Sequence, residues 1–549
     1  MSINVFQDLS LVRTNQGQLS VEAFLARAAD PNLILDLIMP GYEFGATWRL
    51  LAATVAVAIQ IDPKIPHRVA DGDAQPISQD VIAEVLNRLA PGLDLQEGDY
   101  PFFQRPVLPP LGPKDTTRHV GPGKNPAWKL SPTVPGEYSQ TYWDLQRLKP
   151  ETLDGVDGAL ALMVFATYFP SGNSRYDGSK CLNGSPGFRY LGDGNTATEF
   201  LIHSRSPLES LLKSIPRDWV RQSGLPAWAD RTGEKSRLSG GEIHPLWSAT
   251  WSSNTAACAW EGNTLVGVRI GGIPENWFLP EMGTTSEERK QWWDTRNARD
   301  PFYFYLPDSH GSLKARRLDL SRDLTELAVE WAHEDLSNSL RNTFGDTVLS
   351  PDFSKDSLLF IRHQIAGTSH SPIIRESVIT QPDTQRWVFD VDARLQERIR
   401  LQADFILTLY SIVMGPFRPR RKYDKAKKHD QFNKGSDKPG YPHLFSAESR
   451  MNQVFWRMIT PVYEDFIDYF ASSLNSAEGE SETGRQRSRR ARKDLLSLRG
   501  DAIKAAQRAF DSVIGPYLTQ NPSRNFEVQQ RIHYLLQCQH VPNQESEPR

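Results

Sequence analysis

The hydrophobic positions of this chain change their spacing near residue 390. From there they recur at steps of three and four residues with few interruptions, which is the spacing of an amphipathic helix. Four segments have this pattern, and their apolar residues are Leu395, Ile399, Ile406, Leu409, Tyr410 and Val413; Val454, Phe455, Met458, Ile459, Val462, Phe466, Ile467 and Phe470; Ile503, Phe510, Val513 and Ile514; and Phe526, Ile532, Leu535 and Leu536. They predict a C-terminal four-helix bundle over residues 386–549, with a kink at Pro461.

Residues 1–385 have an irregular, mixed pattern. Short alternating runs typical of strands, such as residues 264–270 and 302–306, are interleaved with helical patterns such as residues 320–333. The apolar stretches at residues 50–61 and 159–169 predict buried helices, because a membrane span needs about 20 such residues. We therefore expect an α+β fold, in which a large irregular mixed N-terminal domain is followed by the bundle.

Residues 101–126 are dense in proline. Proline fixes its own φ and lacks the amide donor, so this stretch is predicted to be a long loop rather than a helix or a central strand. Long loops inside a globular domain tend to be functional or mobile.

The composition adds limits on the class of protein. Of 549 residues, 39% are hydrophobic and 23% charged, as in ordinary globular proteins. Cys181, Cys258 and Cys538 are too widely spaced for a disulfide framework or a zinc ribbon, and the N-terminus lacks the pattern of a signal peptide. We expect a cytoplasmic protein that is not in a membrane.

Positive charge is concentrated in two runs, although the formal net charge is only -3. The bases of the first run are Arg418, Arg420, Arg421, Lys422, Lys425, Lys427, Lys428, Lys434 and Lys438, and those of the second are Arg485, Arg487, Arg489, Arg490, Arg492 and Lys493. Local basic patches on a near-neutral protein favour contact with a polyanion, while solvated surface loops are the equal alternative. Both runs are predicted to lie in connections of the bundle.

The usual catalytic motifs are missing. His333-Glu334 does not continue as HExxH, residues 121–124 lack the first glycine and the hydroxyl residue of a phosphate loop, and no GxSxG occurs. Residues 192–196 begin as GxG but lack the third glycine of a dinucleotide-binding turn. His363 and His370 are better explained as core or capped histidines than as metal ligands. This profile favours a nucleic-acid-binding protein or a scaffold over an enzyme.

Several segments, in order along the chain, resemble the large subunit of the Cascade surveillance complex of type I-E CRISPR systems. They are residues 4–13, 101–104, 194–200, 206–216 and 513–517, so the resemblance spans nearly the whole chain. Such a subunit is expected to be non-catalytic, to read the protospacer-adjacent motif in duplex DNA, to help open the duplex and to recruit the helicase-nuclease. Its partners are target double-stranded DNA, guide RNA and the other Cascade subunits. The chain lacks the cysteine cluster of some members, so neither a metal nor another cofactor is expected.

The resemblance also implies particular sites. The residues that look like the glycine-bearing loop for the minor groove are Gly192, Asp193, Gly194, Asn195 and Thr196. In the family a lysine enters the same groove, and Lys290 is the residue of this chain nearest to that position, with Arg289 as an alternative. An exposed helix surface accounts for a lysine at 290 nearly as well. Without the family, the glycine loop is equally well explained as a strand-to-helix turn with Thr196 as the cap.

Two further sites follow from the resemblance. A wedge hairpin that separates base pairs corresponds to residues 367–372, with Ser369, His370 and Ser371 at its tip and the imidazole in place of the family's glutamine. Thr141, Tyr142, Trp143 and Asp144 look like a loop that contacts the rest of the complex, with buried aromatic packing as the alternative. Two other functions stay open, a cytoplasmic metal-dependent hydrolase whose ligands meet only in the fold and a purely structural scaffold.

Overall fold

The structure, a computed structural model, describes most of the chain. The described residues are 2–72, 75–109, 118–121, 125–134, 150–169, 185–192, 194–271, 273, 277–303, 305–307, 313–318, 323–333, 346–352, 355–368, 371–381, 393–418, 441–475 and 484–540. The chain divides into two compact units, Met1–Arg317 with Ser339–Thr384, and Leu318–Asn338 with Gln385–Arg549. The second unit thus includes a short segment from the region that the sequence analysis assigned to the N-terminal domain.

Several helices of the first unit begin where a polar side chain caps them. Ser20, Ser78 and Asp154 accept hydrogen bonds from backbone amides of the first turn, which satisfies donors that have no partner inside a helix. The described helices are α1 (Val5–Asp8), α2 (Val21–Arg27), α3 (Gly41–Ile61), α4 (Ile65–Ala70), α5 (Gln79–Leu89), α6 (Gly155–Tyr168), α7 (Pro207–Leu212), α8 (Pro245–Thr250) and α9 (Ser286–Asn297).

The strands of this unit form separate antiparallel sheets. They are β1 (Val12–Thr14), β2 (Gly17–Leu19), β3 (Leu153–Asp154), β4 (Tyr190–Gly192), β5 (Asn195–Thr196), β6 (Glu199–His203), β7 (Thr255–Glu261), β8 (Thr264–Gly271), β9 (Tyr305–Pro307), β10 (Leu313–Ala315), β11 (Ser357–Thr368) and β12 (Ser371–Thr380). Strands β1 and β2 pair, β9 and β10 pair, β3-β8-β7 form a three-stranded sheet, and the other five strands form one sheet. The strand predicted at residues 264–270 is confirmed as β8, whereas the prediction for 302–306 is partly wrong because β9 begins only at Tyr305.

The core of the first unit surrounds α3 and α6. Most residues of these two helices are buried, which confirms the two buried helices predicted from apolar stretches. Among the described residues, α3 alone is long and apolar enough to cross a membrane, and 83% of its most apolar window is buried inside the protein. This burial is that of a core helix.

The proline-dense loop is anchored to this core at its start. Phe102 and Phe103 are buried, and their rings lie 6.1 and 5.8 Å from that of Trp228. The described residues 101–109, 118–121, 125 and 126 contain no helix or strand beyond a single bridge between Gln104 and Ala256. The predicted long loop is confirmed for this described part.

The second unit is helical. Its described helices are α10 (Leu324–His333), α11 (Ala393–Met414), α12 (Glu448–Asn475), α13 (Gly484–Leu518) and α14 (Pro522–Gln537). The last four are the helices that the periodicity predicts, and α10 joins them, since Thr325 Oγ1 lies 2.8 Å from Thr460 Oγ1 and His333 hydrogen-bonds to Asp404. The predicted α+β class with a C-terminal helical bundle is confirmed.

Two details of the bundle differ from the prediction. Phe526 is 55% exposed, while Asn525 is buried and donates to the Tyr517 carbonyl at 2.6 Å. The inward face of α14 is thus set by Asn525, Val528, Ile532 and Leu536, because a polar residue can be buried where its hydrogen bonds are satisfied. The second basic run lies within α13 rather than in a connection, since arginine and lysine favour helix and no glycine or proline interrupts residues 485–493.

The remaining regular segments are short 3₁₀ helices. Those described are Ala90–Gly92, Ala127–Leu130, Arg217–Trp219, Glu234–Ser236, Pro280–Met282, Gly415–Phe417, Pro442–Ala447 and Cys538–His540. They join longer elements, as such helices usually do.

Candidate nucleic-acid interface

One five-stranded sheet contains both hairpins that the family resemblance assigned to DNA. Its order is β12-β11-β5-β4, and β6 also pairs with β11. Along one edge of β11 runs β12, and along the other edge β6 pairs with residues 357–361 before β5 pairs at Gln364. The glycine loop is therefore the turn of the β4–β5 hairpin, called the glycine hairpin below, and it contacts the distal part of β11.

Two glycines give the glycine hairpin its backbone shape. Gly192 and Gly194 have φ values of 96° and 75°, which residues other than glycine rarely adopt. The Ile365 amide donates to the Gly194 carbonyl at 2.7 Å, and a Cβ on Gly194 would lie 2.8 Å from the Ile365 carbonyl oxygen. A Cβ on Gly192 would meet no atom within 4 Å. Close backbone approach thus requires glycine at 194, and Asp193 lies outside the described residues.

The next two residues belong to the sheet. Asn195 is half-buried and pairs with Gln364, whereas Thr196 is only 2% exposed. Thr196 Oγ1 donates to the His363 carbonyl at 3.2 Å and accepts from the His363 amide at 3.3 Å. The alternative of a strand-to-helix turn capped by Thr196 is wrong, because the turn joins two strands and the Thr196 hydroxyl bonds across the sheet.

The predicted wedge is the end of the long β11–β12 hairpin. Its last described pairs are Gly367 with Pro372 and Thr368 with Ser371, and a β-bulge at Gln364 and Ile365 lies where the glycine hairpin attaches. Thr368 is four residues beyond Gln364, or about 13 Å at about 3.3 Å per residue. Ser369 and His370 lie outside the described residues, as does the side chain of Ser371. His363, by contrast, is a core histidine whose Nδ1 lies 2.8 Å from Ser377 Oγ.

Sequence reasoning missed a buried charge cluster at the ends of the glycine hairpin. Arg189, just before β4, lies 3.1 Å from Asp300, which also lies 3.0 Å from Arg49 of α3. Glu199, at the start of β6, lies 3.1 Å from Arg49 and accepts from the Tyr168 hydroxyl at 2.9 Å. Each hairpin end is therefore tied to a charge in the core.

The electrostatics of this cluster favour its charged forms. Burial alone raises the pKa of Asp300, but Arg49 and Arg189 outweigh burial and hold that pKa below its ordinary value. Burial, and then the charge of Glu199, raise the pKa of Tyr168 and of Tyr303 well above the usual range, so both hydroxyls stay protonated as donors. The available signal was Arg49 inside an otherwise apolar run and Glu199 directly before the apolar residues Phe200, Leu201 and Ile202.

The outward surface of the glycine hairpin is apolar as well as glycine-rich. Tyr190 is 57% exposed and Leu191 is 45% exposed. Proteins that bind the minor groove insert exposed apolar side chains of this kind between base steps. The sequence analysis did not single out these two residues, because alternation over three residues is too short to show which face is covered.

Lys290 lies on the surface of α9 and is exposed. Its neighbour Arg289 is half-buried, with its guanidinium 3.9 Å from the centre of the Phe278 ring and its Nε donating to the Gly283 carbonyl at 3.2 Å. Of the two rivals, Lys290 therefore has the more accessible charge.

Arg418, the first base of the first basic run, contacts two side chains of the helical bundle. Arg418 Nε lies 2.9 Å from Glu448 Oε1, and its Nη2 donates to the Tyr410 hydroxyl at 2.8 Å. The other bases of this run all lie outside the described residues; they are Arg420, Arg421, Lys422, Lys425, Lys427, Lys428, Lys434 and Lys438. Arg489 and Arg490 lie in α13, without described side chains. The predicted contact loop, Thr141, Tyr142, Trp143 and Asp144, also lies outside the described residues.

Within the described ranges, no group of three or more histidine, cysteine, aspartate or glutamate side chains could hold a metal ion. Cys258 is buried, which raises the pKa of its thiol, and Cys538 is exposed.

The fold and the paired hairpins define an α+β protein whose mixed N-terminal unit carries a candidate nucleic-acid interface and whose C-terminal unit is a helical bundle. Residues 10–321 match the family described as CRISPR-associated protein Cse1, so the chain belongs to the Cse1 family. The resemblance drawn from the sequence is thereby confirmed. No curated protein matches the chain.

Solved structures match nearly the whole chain. It is similar to CasA of Thermus thermophilus, with 15% identity, a TM-score of 0.54, and 98% of this chain and 99% of that chain covered. For Cse1 of Thermobifida fusca the identity is 14%, the TM-score 0.55 and the coverage 98% of each chain. For a chain of a CRISPR RNA-guided surveillance complex the identity is 16% and the TM-score 0.58, and the match covers 97% of this chain and 99% of that chain. At such identities the likeness establishes the fold.

Proposed function

We propose that this chain is the DNA-recognition large subunit of an RNA-guided Cascade complex, and that it reads a short motif in duplex DNA without catalysing a reaction. The observation that carries the proposal is the single sheet that presents both the glycine hairpin and the β11–β12 hairpin. Membership of the Cse1 family and the likeness to a chain of an RNA-guided surveillance complex support the same role.

The glycine hairpin suits a minor groove. That groove is about 6 Å wide and admits backbone and small side chains far more easily than bulky ones. Gly192 and Gly194 present backbone without side chains, and the hydrogen bond from the Ile365 amide attaches the turn to β11. We infer that this turn enters the groove, with Asp193 and Asn195 beside the base edges and Lys290 supplying a donor from α9.

The β11–β12 hairpin suits the opening of the duplex. Its last described pair lies about 13 Å along β11 from the attachment point of the glycine hairpin. Base pairs are stacked at about 3.4 Å, so this distance corresponds to about four of them. A wedge formed by residues 369–371 would therefore act a few base pairs from the motif, where guide RNA begins to pair with the target strand.

The remaining partners follow from charge and from family. The basic residues near Arg420 and in α13 are proposed to hold phosphates of the duplex or of its displaced strand, independent of base sequence. Residues 141–144 are proposed to contact the guide-bearing part of the complex. A helicase-nuclease recruited by this subunit would cut the target, and the whole assembly would act in the cytoplasm.

A binding selection tests the proposal. The complex assembled with this chain and a guide RNA is mixed with duplexes that match the guide and are randomised in the base pairs beside the target. We expect one short motif to be enriched, and we expect the same complex without this chain to enrich none.

Two control results separate the alternatives. Enrichment of no motif by the complete complex would contradict the proposal and favour a scaffold. Cleavage of DNA by the isolated chain with added Mg²⁺ or Mn²⁺ would instead favour the metal-dependent hydrolase.

A further inference from the structure

The glycine hairpin has little backbone support of its own. Strand β4 has three residues and pairs with β5, and β5 has two residues and meets β11 at one residue pair. Two short strands are marginal in water without other packing. The conformation of this turn therefore depends on what holds its two ends.

The entry of the hairpin is held through Arg189. Its backbone carbonyl accepts from the Ala197 amide at 2.8 Å, which closes the hairpin. Its side chain, 9% exposed, lies 3.1 Å from Asp300 Oδ2 and donates to the carbonyls of Ser185 and Phe188 at 3.2 Å. The same residue thus closes the turn with its backbone and anchors it with its charge.

Asp300 connects this anchor to the exit of the hairpin. It lies 3.0 Å from Arg49, whose other nitrogen lies 3.1 Å from Glu199. The Tyr303 hydroxyl lies 3.0 Å from Glu199 Oε1. A chain of buried contacts therefore runs from Arg189 to Glu199 through Asp300 and Arg49.

We propose that Arg189 and Asp300 are positioning residues that set motif discrimination, because their ion pair fixes the entry strand of the glycine hairpin. This inference rests on the proposed function. Neither residue contacts DNA in this account. They act by keeping the Gly192–Gly194 backbone in the one conformation that fits the groove, so their loss changes selectivity more than overall affinity.

The test compares Arg189→Gln and Asp300→Asn with wild type in the assembled complex. The measured quantity is the ratio of dissociation constants for a motif-free and a motif-bearing duplex. We expect this ratio to fall about tenfold, which is roughly the worth of one specific base-pair contact, while affinity for motif-free duplex stays the same. Arg189→Lys, which keeps the charge, should retain most of the discrimination.

A matched control separates positioning from simple destabilisation. Lys213 and Asp356 form a buried ion pair of 2.8 Å at the other end of the same sheet. Lys213→Gln should lower the unfolding temperature at least as much, because it removes the cation that pairs with both Asp356 and Glu209, yet leave the ratio unchanged. Discrimination by Arg189→Gln that equals that of wild type, or falls no further than in Lys213→Gln, would overturn the inference.

Hydrogen exchange provides a second measurement if Arg189→Gln does not fold. In the full chain, Asp300→Asn, which removes the carboxylate that Arg189 pairs with, should speed exchange of the amides of residues 190–198, while Arg189→Lys should leave them close to wild type and the amides around Lys213 should stay unchanged in both variants. Unchanged exchange of residues 190–198 in Asp300→Asn would also overturn the anchoring. If wild type shows no discrimination, the proposed function fails, whereas this exchange result still decides whether Arg189 anchors the hairpin.

Discussion

The glycine hairpin and the start of the first basic run are both candidates for DNA contact, yet they use charge in opposite ways. At the hairpin, the charged side chains of Arg189 and Asp300 are buried. They support the backbone of the hairpin from within and are not part of its exposed surface. In the bundle, Arg418 is prominent in the sequence as the first of many bases, but it is paired with Glu448. A base counted in the sequence is therefore not necessarily available to a phosphate.

This difference separates two kinds of recognition. Selectivity requires a surface held in one conformation, and we propose that the buried ion pairs of Arg189 and Asp300 hold the hairpin in that way. Sequence-independent affinity requires exposed cations and tolerates variable geometry, since phosphates repeat along any sequence. Substitutions in the two regions should therefore have different effects, on motif preference at the hairpin and on affinity for all duplexes in the basic run.

The largest expected effect is that of Gly194→Val. Valine at a φ of 75° is strained, and its Cβ would meet the Ile365 carbonyl at 2.8 Å, so the attachment of the hairpin to β11 should be lost. We expect motif-dependent affinity to fall about tenfold or more, with a stability cost of about 1–3 kcal/mol. Competition binding and thermal unfolding measure the two effects.

Gly262→Val is the matched control for that substitution. Gly262 also has a positive φ, 58°, but a Cβ there would meet no atom within 4 Å. It should therefore carry the backbone strain alone and leave motif preference intact. Equal losses in the two variants would mean that strain, rather than the contact with Ile365, explains the result.

A smaller and sequence-independent effect is expected from the first basic run. Replacing Arg420, Arg421 and Lys422 by glutamine should weaken binding to all duplexes alike. The slope of log affinity against log salt should decrease by about 1 for each phosphate that is no longer neutralised. An unaltered slope would mean that these residues do not contact phosphates. A change in motif preference would contradict the proposal that they supply affinity without selectivity.

Lys290→Gln is expected to have a weaker effect on selectivity. Losing one donor in the groove should reduce affinity for motif-bearing duplex by about fivefold, with no change in thermal stability because Lys290 is exposed. Arg289→Gln should show the reverse, a loss of stability from its contact with Phe278 without a loss of selectivity. The opposite assignment of the two effects would make Arg289 the groove residue.

The smallest effect is expected for Arg418→Gln alone. Its pair with Glu448 is partly exposed, so stability should change by no more than about 1 kcal/mol. The salt dependence of DNA binding should not change, because this charge is already used within the bundle. A slope reduced as much as by a substitution at Arg420 would show that the pair opens to bind phosphate.

Periodicity predicted the helices of the bundle because each helix buries one apolar face. Ile406, Ile459 and Ile532 lie on three of these faces and are fully buried. It misplaced Phe526, because the inward face of α14 depends on the hydrogen bonds that satisfy Asn525. The resemblance pointed to residues 192–196 as a candidate loop, but it could not show that Thr196 bonds across the sheet to His363. The anchor of the hairpin was also hidden, since Arg189 and Asp300 are far apart in sequence and meet only in the fold.

The most direct test of the central claim is the motif preference of the complete complex with wild-type chain and with Gly194→Val. Dissociation constants are measured for a guide-matched duplex bearing the enriched motif and for one in which that motif is replaced. The account predicts a clear preference with wild type and its loss in Gly194→Val, while affinity for the motif-free duplex stays equal. Equal binding of both duplexes by wild type, or a preference that survives in Gly194→Val, would contradict it.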